Sequence, residues 1–335
     1  MAYKVPFVDP VKNYHMIKDE IDAIYFDIME RGDFINRKDL EQFEENLAEF
    51  VGTKYAVGTN SGYDALHLSL RAAGIGPGDD VIVPAHTFVA SASAIVNVGA
   101  RPVLCDVGID FNIDVSKIEE SISSSTKGIM AVHLSGYMAD MVAINEIASR
   151  YNLIVIEDAC QSLGSIMSGQ SAGSWGLTGC WSFYPFKILG GYGDGGAITT
   201  NDEKVAAFAA RMRYNGEDRD TGEYHGHGFT CLLDNMQAAF LDVKLRHLPN
   251  WIIRRKEIAE KYRQALGDIE DLLLPHYNDP RRDHVYQNYT LRSKQGDEFS
   301  DFLKANGIEV LTQFRKPYYK YEALKLADRG FPETE

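Results

Sequence analysis

Lys187 and Asp158 are the two residues whose types and settings point to chemistry. Lys187 stands in WSFYPFKILGGYGDGGAITT, residues 181–200, between a Ser-Phe-Tyr-Pro stretch and a glycine-rich run. Asp158 lies at the end of LIVIEDA, residues 153–159, an apolar run that reads as a buried strand. A lysine about one βα unit beyond a carboxylate at a strand's carboxyl end suits pyridoxal phosphate (PLP). That cofactor needs an amine for its Schiff base and an acid to keep its ring nitrogen protonated. The plain alternatives are a surface lysine between strands and an aspartate that caps a loop.

Other residues extend this reading. NSGYDAL, 60–66, enters a helix directly after a short strand. Backbone amides at a helix N-terminus bind phosphate, so Ser61, Gly62 and Tyr63 are candidates, with a simple N-cap as the alternative. Ser182, five residues before the lysine, is a second phosphate candidate. Phe88, in PAHTFVAS, is placed either to stack on a pyridine ring or to join the core. Gln161, about one helical turn past Asp158, is a candidate partner for the ring hydroxyl. The run GGYGDGG, 190–196, leads into a strand rather than a helix, which excludes a dinucleotide-binding loop.

These residues need a scaffold, and the hydrophobic pattern supplies one. Helices are predicted over 12–31, 38–51, 64–76, 87–99, 116–122 and 141–152. Strands are predicted at 81–85, 102–107, 128–134 and 153–159, besides a short one at YAVGT. Alternation at these lengths indicates an α/β fold with a mainly parallel sheet covered on both faces. Beyond residue 235 the texture changes. A long helical run, 236–266, is expected to be interrupted near Pro249. Short elements follow: a strand at 286–293, a helix at 298–307 and the segment IEVLTQF. The division expected is a large domain, 1–245, carrying the N-terminal helical segment, and a small α+β domain, 246–335.

Composition narrows the classes. The 335 residues carry 34 basic and 48 acidic side chains, a net charge of −14, which argues against nonspecific nucleic-acid binding. No run of about 18 apolar residues suggests a membrane span, and the N-terminus lacks the pattern of a signal peptide. Cys105, Cys160, Cys180 and Cys231 form no CxxC pair, and the nine histidines show no ligand spacing, so no metal site is expected. Reduced, mostly buried cysteines are consistent with a cytoplasmic location.

The segments 32–95, 154–165, 180–200 and 233–245 together resemble the DegT/DnrJ/EryC1/StrS sugar aminotransferases, within PLP fold type I. The resemblance implies an aspartate-aminotransferase-like fold with a mainly parallel seven-stranded sheet. It implies a homodimer with shared active sites, L-glutamate as amino donor and a nucleotide-linked keto sugar (dTDP or UDP) as acceptor. Such enzymes make amino sugars for surface glycans, including lipopolysaccharide O-antigen, or for glycosylated metabolites. Position by position, Lys187 matches the Schiff-base lysine and Asp158 the partner of the ring nitrogen. Gln161 matches the residue on the ring hydroxyl and Phe88 the stacking aromatic. Ser182 and the amides of Gly62 and Tyr63 match the phosphate cradle.

The Ser-Phe-Tyr-Pro and Gly-Asp-Gly-Gly flanks look more like members that aminate carbon 3 of a hexose, whereas carbon-4 enzymes more often have Glu at the position of Asp194. Tyr184 is then either a sugar contact or a structural residue. The pattern also departs in places. Tyr63 replaces a usual threonine, and Thr230 replaces an asparagine that touches phosphate from the partner subunit. Near the C-terminus, Arg315 and Tyr318 are weaker substrate candidates, and a final strand and helix usual in the family are expected to be missing. A sugar dehydratase of the same fold would have histidine in place of Lys187. A non-catalytic PLP-binding protein would keep the cofactor without amino exchange.

Overall fold

Short apolar runs bounded by Gly, Pro or Asp become the strands of one sheet. The computed structural model describes residues 3–275 and 277–335, so the first two residues read for a signal segment lie outside it. The strands are β1 (Tyr55–Thr59), β2 (Asp80–Pro84), β3 (Arg101–Cys105), β4 (Thr126–Val132), β5 (Ile154–Asp158), β6 (Thr178–Ser182) and β7 (Gly196–Thr200). Their order across the sheet is β1-β7-β6-β5-β4-β2-β3. The pairs β6–β5, β5–β4, β4–β2 and β2–β3 are parallel, and β7 is antiparallel to both its neighbours. The seven-stranded, mainly parallel sheet is therefore as expected. Active sites in such sheets lie beyond the carboxyl ends of the parallel strands.

Helices cover both faces. On one face α3 (Lys38–Val51), α6 (Met141–Tyr151) and α8 (Asn235–Leu266) bury their apolar stripes against Ile129 and Val155. On the other, α4 (Gly62–Ala72), α5 (Val89–Asn97) and α7 (Glu203–Met212) pack on Met130 and Ile156. Adjacent strand residues thus serve opposite cores, as the two-residue period of a strand requires. Side-chain caps set several helix starts: Ser61 accepts from the Asp64 amide, Asp140 from Ala143, Asp202 from Val205 and Asp234 from Gln237.

Four expectations change. The helix predicted over 12–31 divides into α1 (Pro10–Met16) and α2 (Lys18–Arg31). Ile17 leaves helical geometry at φ −128° and buries its side chain in a cluster with Ile21, Phe240 and Val243. Segment 116–122 forms two 3-10 turns rather than an α-helix. The serines that follow bond locally, the Ser123 amide donating to Thr126 Oγ1 at 2.8 Å, and halt propagation. Within 286–293 only Arg292–Ser293 pairs as a strand, because Tyr286 adopts a left-handed φ of 53°. Finally, α8 runs unbroken through Pro249. A mid-helix proline costs about 3 kcal/mol, which the burial of Leu245, Leu248 and Ile252 on the core face offsets. Residue 245 therefore lies inside a continuous helix. Among the described residues, no helix is long and apolar enough to cross a membrane.

The carboxyl end of β5 is fixed by Glu157, whose side chain is fully buried. Its Oε1 accepts from the amides of Trp175 (2.7 Å) and Gly176 (2.8 Å). Its Oε2 accepts from the Gly173 amide (2.8 Å) and bonds His133 Nε2 (2.9 Å). His133 Nδ1 accepts from the Ala139 amide, so Nε2 carries the proton that it donates to Glu157. Replacing this carboxylate leaves buried donors unmatched. Glu157→Gln is expected to lower the unfolding free energy in urea by about 3 kcal/mol. A loss below about 0.5 kcal/mol, the scale of an ordinary surface change, would contradict this role.

Candidate active site

Asp158 follows Glu157 and points to the opposite face of the sheet, toward α5. It is buried at 7% exposure. Ser91, from α5, donates to its Oδ2 at 2.7 Å, and the Cys160 amide donates to Oδ1 at 3.3 Å. Thr87 and Ser91 share a further hydroxyl contact at 3.0 Å. The carboxylate is thereby oriented on both oxygens.

The turn after Asp158 tucks the Cys160 sulfur beneath the N-terminus of α4. Its thiol is raised well above the usual thiol range, first by burial and then by the charge of Asp158, while the Lys187 ammonium acts in the opposite sense. The thiol thus stays protonated. Asp158 pairs with Cys180 in the parallel register of β5 and β6, so Ser182 and the loop that carries Lys187 emerge from the same strand ends as Asp158.

Lys187 lies partly buried in the loop between β6 and β7. Phe183 and Gly195 close that loop, the Phe183 amide donating to the Gly195 carbonyl at 2.7 Å. α8 ties its glycine-rich half: Gln237 Oε1 accepts from the Tyr192 amide at 2.8 Å, and Lys244 Nζ donates to the Gly190 carbonyl at 2.7 Å. Lys244 also sits 3.7 Å from the Tyr192 ring centroid, and burial pushes its ammonium down to about 8.

The start of α4 forms a narrow cradle. Ser61 caps the helix and donates to Asp64 Oδ2 at 2.7 Å. The amides of Gly62 and Tyr63, in the first turn, have no acceptor within the helix. A Cβ on Gly62 would lie 2.7 Å from Ser182 Cβ and 2.8 Å from Cys160 Sγ. A Cβ on Gly196 would lie 2.3 Å from the Ser61 backbone. Only glycine lets these backbones approach, and the result is two amides beside the Ser182 hydroxyl. That donor set, with an aspartate and a lysine nearby, fits a phosphorylated pyridine.

The other predicted residues fall as follows. Phe88 caps α5 and is 56% exposed, so its ring is an available face rather than core. Gln161 Oε1 accepts from the Ser135 amide at 2.9 Å, which orients its carboxamide. The Tyr63 hydroxyl accepts from Asn97, away from the cradle. Tyr184 is exposed, Thr230 is exposed and donates to Asn215, and Arg315 pairs with Asp297 at 3.0 Å. Tyr318 corrects the expectation of a substrate contact. It is 6% exposed, and its phenol donates to the Pro84 carbonyl at 3.0 Å, bracing the end of β2. Ser91, Gln237 and Lys244 carry no recognisable signal in the sequence, because each acts through a partner far along the chain.

Comparison with known proteins identifies the family. Residues 15–335 match the DegT/DnrJ/EryC1/StrS aminotransferase family. A "pleiotropic regulatory protein" of Geobacillus stearothermophilus is 38% identical over 99% of this chain and 90% of its own length. The dTDP-3-amino-3,4,6-trideoxy-alpha-D-glucose transaminase of Streptomyces venezuelae is 38% identical over 94% of this chain and 83% of its own. The crystal structure of S. venezuelae DesV with a ketimine intermediate superposes with a TM-score of 0.96 at 37% identity, covering all of this chain and 90% of that one. The chain belongs to the DegT/DnrJ/EryC1/StrS family and is a PLP-dependent aminotransferase.

The cradle makes a direct prediction. Overpacking of a tight site costs about 1–3 kcal/mol, so Gly62→Ala is expected to weaken PLP binding roughly 10- to 100-fold. Fluorescence titration of the apoprotein measures this, with circular dichroism as the check on folding. Unchanged affinity would contradict the cradle.

Proposed function

We propose that this aminotransferase moves an amino group from L-glutamate to carbon 3 of a nucleotide-linked 3-keto-6-deoxyhexose, with dTDP or UDP as the nucleotide. The observation that carries the reading is the register of β5 on β6, which sets Asp158 and the loop of Lys187 at the same strand ends, beside the cradle of Gly62, Tyr63 and Ser182. PLP bound there supplies an electrophilic carbon that captures amines and a ring that draws electrons from the substrate. Lys187 anchors the cofactor, and Asp158, held by Ser91, keeps a proton on its ring nitrogen. Gln161 binds the ring hydroxyl, and Phe88 stacks on the open face. Lys187 Nζ takes the α-carbon proton of glutamate in the first half-reaction. It returns a proton to the sugar carbon in the second.

Support for carbon 3 comes from the name of the Streptomyces relative and from Asp194 in the glycine-rich flank. Carbon 4 of a 4-keto sugar is the alternative. The acceptor site we propose involves Tyr184 and Arg315, both exposed, while Thr230 would reach the cofactor phosphate across a homodimer. Exposed apolar residues such as Phe26, Phe34 and Ile35 suit such a dimer. We assign residues 1–245 to the large domain and 246–335 to the small one, with α8 spanning both. The product would serve surface glycans or glycosylated metabolites, made in the cytoplasm.

Incubation with L-glutamate and either a dTDP-linked 3-keto or a dTDP-linked 4-keto 6-deoxyhexose tests the assignment. NMR of the product is expected to place nitrogen on carbon 3. Nitrogen on carbon 4 would establish the alternative, and no aminated sugar from either class would overturn the reading. Lys187→Ala is expected to abolish transfer by at least about 1,000-fold while retaining the wild-type circular dichroism spectrum.

A further inference from the structure

We propose that Gln287 is a positioning residue for Lys187, gripping the backbone on both sides of the lysine with one carboxamide. Its Nε2 donates to the Phe186 carbonyl at 2.9 Å, and its Oε1 accepts from the Ile188 amide at 2.6 Å. These are the peptide groups that flank Lys187. Gln287 is 8% exposed, so the two bonds are shielded from water. The loop beyond the lysine carries glycines at 190, 191, 193, 195 and 196, and has little intrinsic stiffness. Within the loop the Lys187 amide donates to the Tyr184 carbonyl at 2.8 Å, and the tie from Gln287 fixes the peptide groups on either side.

The tie is itself held. Arg255, from α8, donates Nη1 to the carbonyls of Tyr286 (2.9 Å) and Gln287 (3.3 Å). The Val285 amide donates to the Gly136 carbonyl at 3.1 Å. Gly136 has φ of 90°, and an added Cβ would lie 2.9 Å from the Gln287 nitrogen, so no larger residue allows this approach. The neighbouring Ser135 amide holds Gln161. One short segment from the C-terminal part thus braces the loop of Lys187 and the loop that orients Gln161. A shift of about 1 Å in a reacting group can cost roughly 100-fold in rate.

The inference rests on Lys187 being the cofactor lysine, and the test separates the two. Gln287→Met keeps the size and removes both bonds. In the apoprotein, hydrogen exchange at the Ile188 amide is expected to rise about tenfold or more. With PLP bound, the glutamate half-reaction is expected to slow roughly 10- to 100-fold, with little change in glutamate KM. Gln287→Glu offers a second readout that does not depend on the Met variant folding. Its protonated acid can donate to Phe186 and accept from Ile188, whereas its carboxylate can only accept. Its rate relative to wild type is therefore expected to fall as pH rises. Wild-type exchange and rate in Gln287→Met, or a pH-independent ratio in Gln287→Glu, would overturn the clamp. Retained glutamate half-reaction in Lys187→Ala would overturn the underlying reading of the lysine instead, whatever the exchange data show.

Discussion

The site depends on the carboxyl end of β5, where two neighbouring carboxylates face opposite sides of one sheet. The alternation of a strand sends Glu157 into the face covered by α3, α6 and α8, and Asp158 toward α4 and α5. Glu157 is a buried charge made tolerable by four hydrogen-bonding partners, and those partners anchor the loop at 173–176 and His133 after β4. Asp158 inherits that rigidity. It needs only Ser91 and the Cys160 amide to aim it.

The rest of the site converges on the same sheet edge from several distant segments. α4 brings a helix N-terminus over Cys160 and Ser182, with glycine at the closest approach. The loop between β6 and β7 brings Lys187, and α8 secures the glycine half of that loop through Gln237 and Lys244. Functional groups therefore sit on loops, while the strands and α8 supply stiffness, which is the usual division of labour in α/β enzymes. The helix that carries these ties continues through Pro249 into the C-terminal part. Mechanical linkage between the two parts follows from that continuity.

Much of this was legible in the sequence where the cause is local. A buried strand reads from its apolar run, so β5 and its terminal Asp158 were identifiable, as was the helix start at Ser61. Lys187 stood out because its glycine-rich context is unlike that of a surface lysine. Residues that act across the chain were not legible. Gln287 lies 99 positions from its bond partner Ile188, and Ser91 lies 67 from Asp158. Nothing in either local pattern indicates the partner. Tyr318 was misread for a related reason: a tyrosine after a proline looks available until Pro84 is seen to accept its hydroxyl. Pro249 misled in the other direction, since local chemistry predicts a break that burial of the flanking leucines overrides.

The most direct test of the account is a single-turnover experiment on the PLP-loaded protein with L-glutamate alone. The account predicts loss of the yellow cofactor absorbance and release of one equivalent of 2-oxoglutarate for each site loaded. PLP held firmly yet indifferent to glutamate and to every other amino acid would contradict it. That outcome would favour a protein that binds PLP without exchanging amino groups.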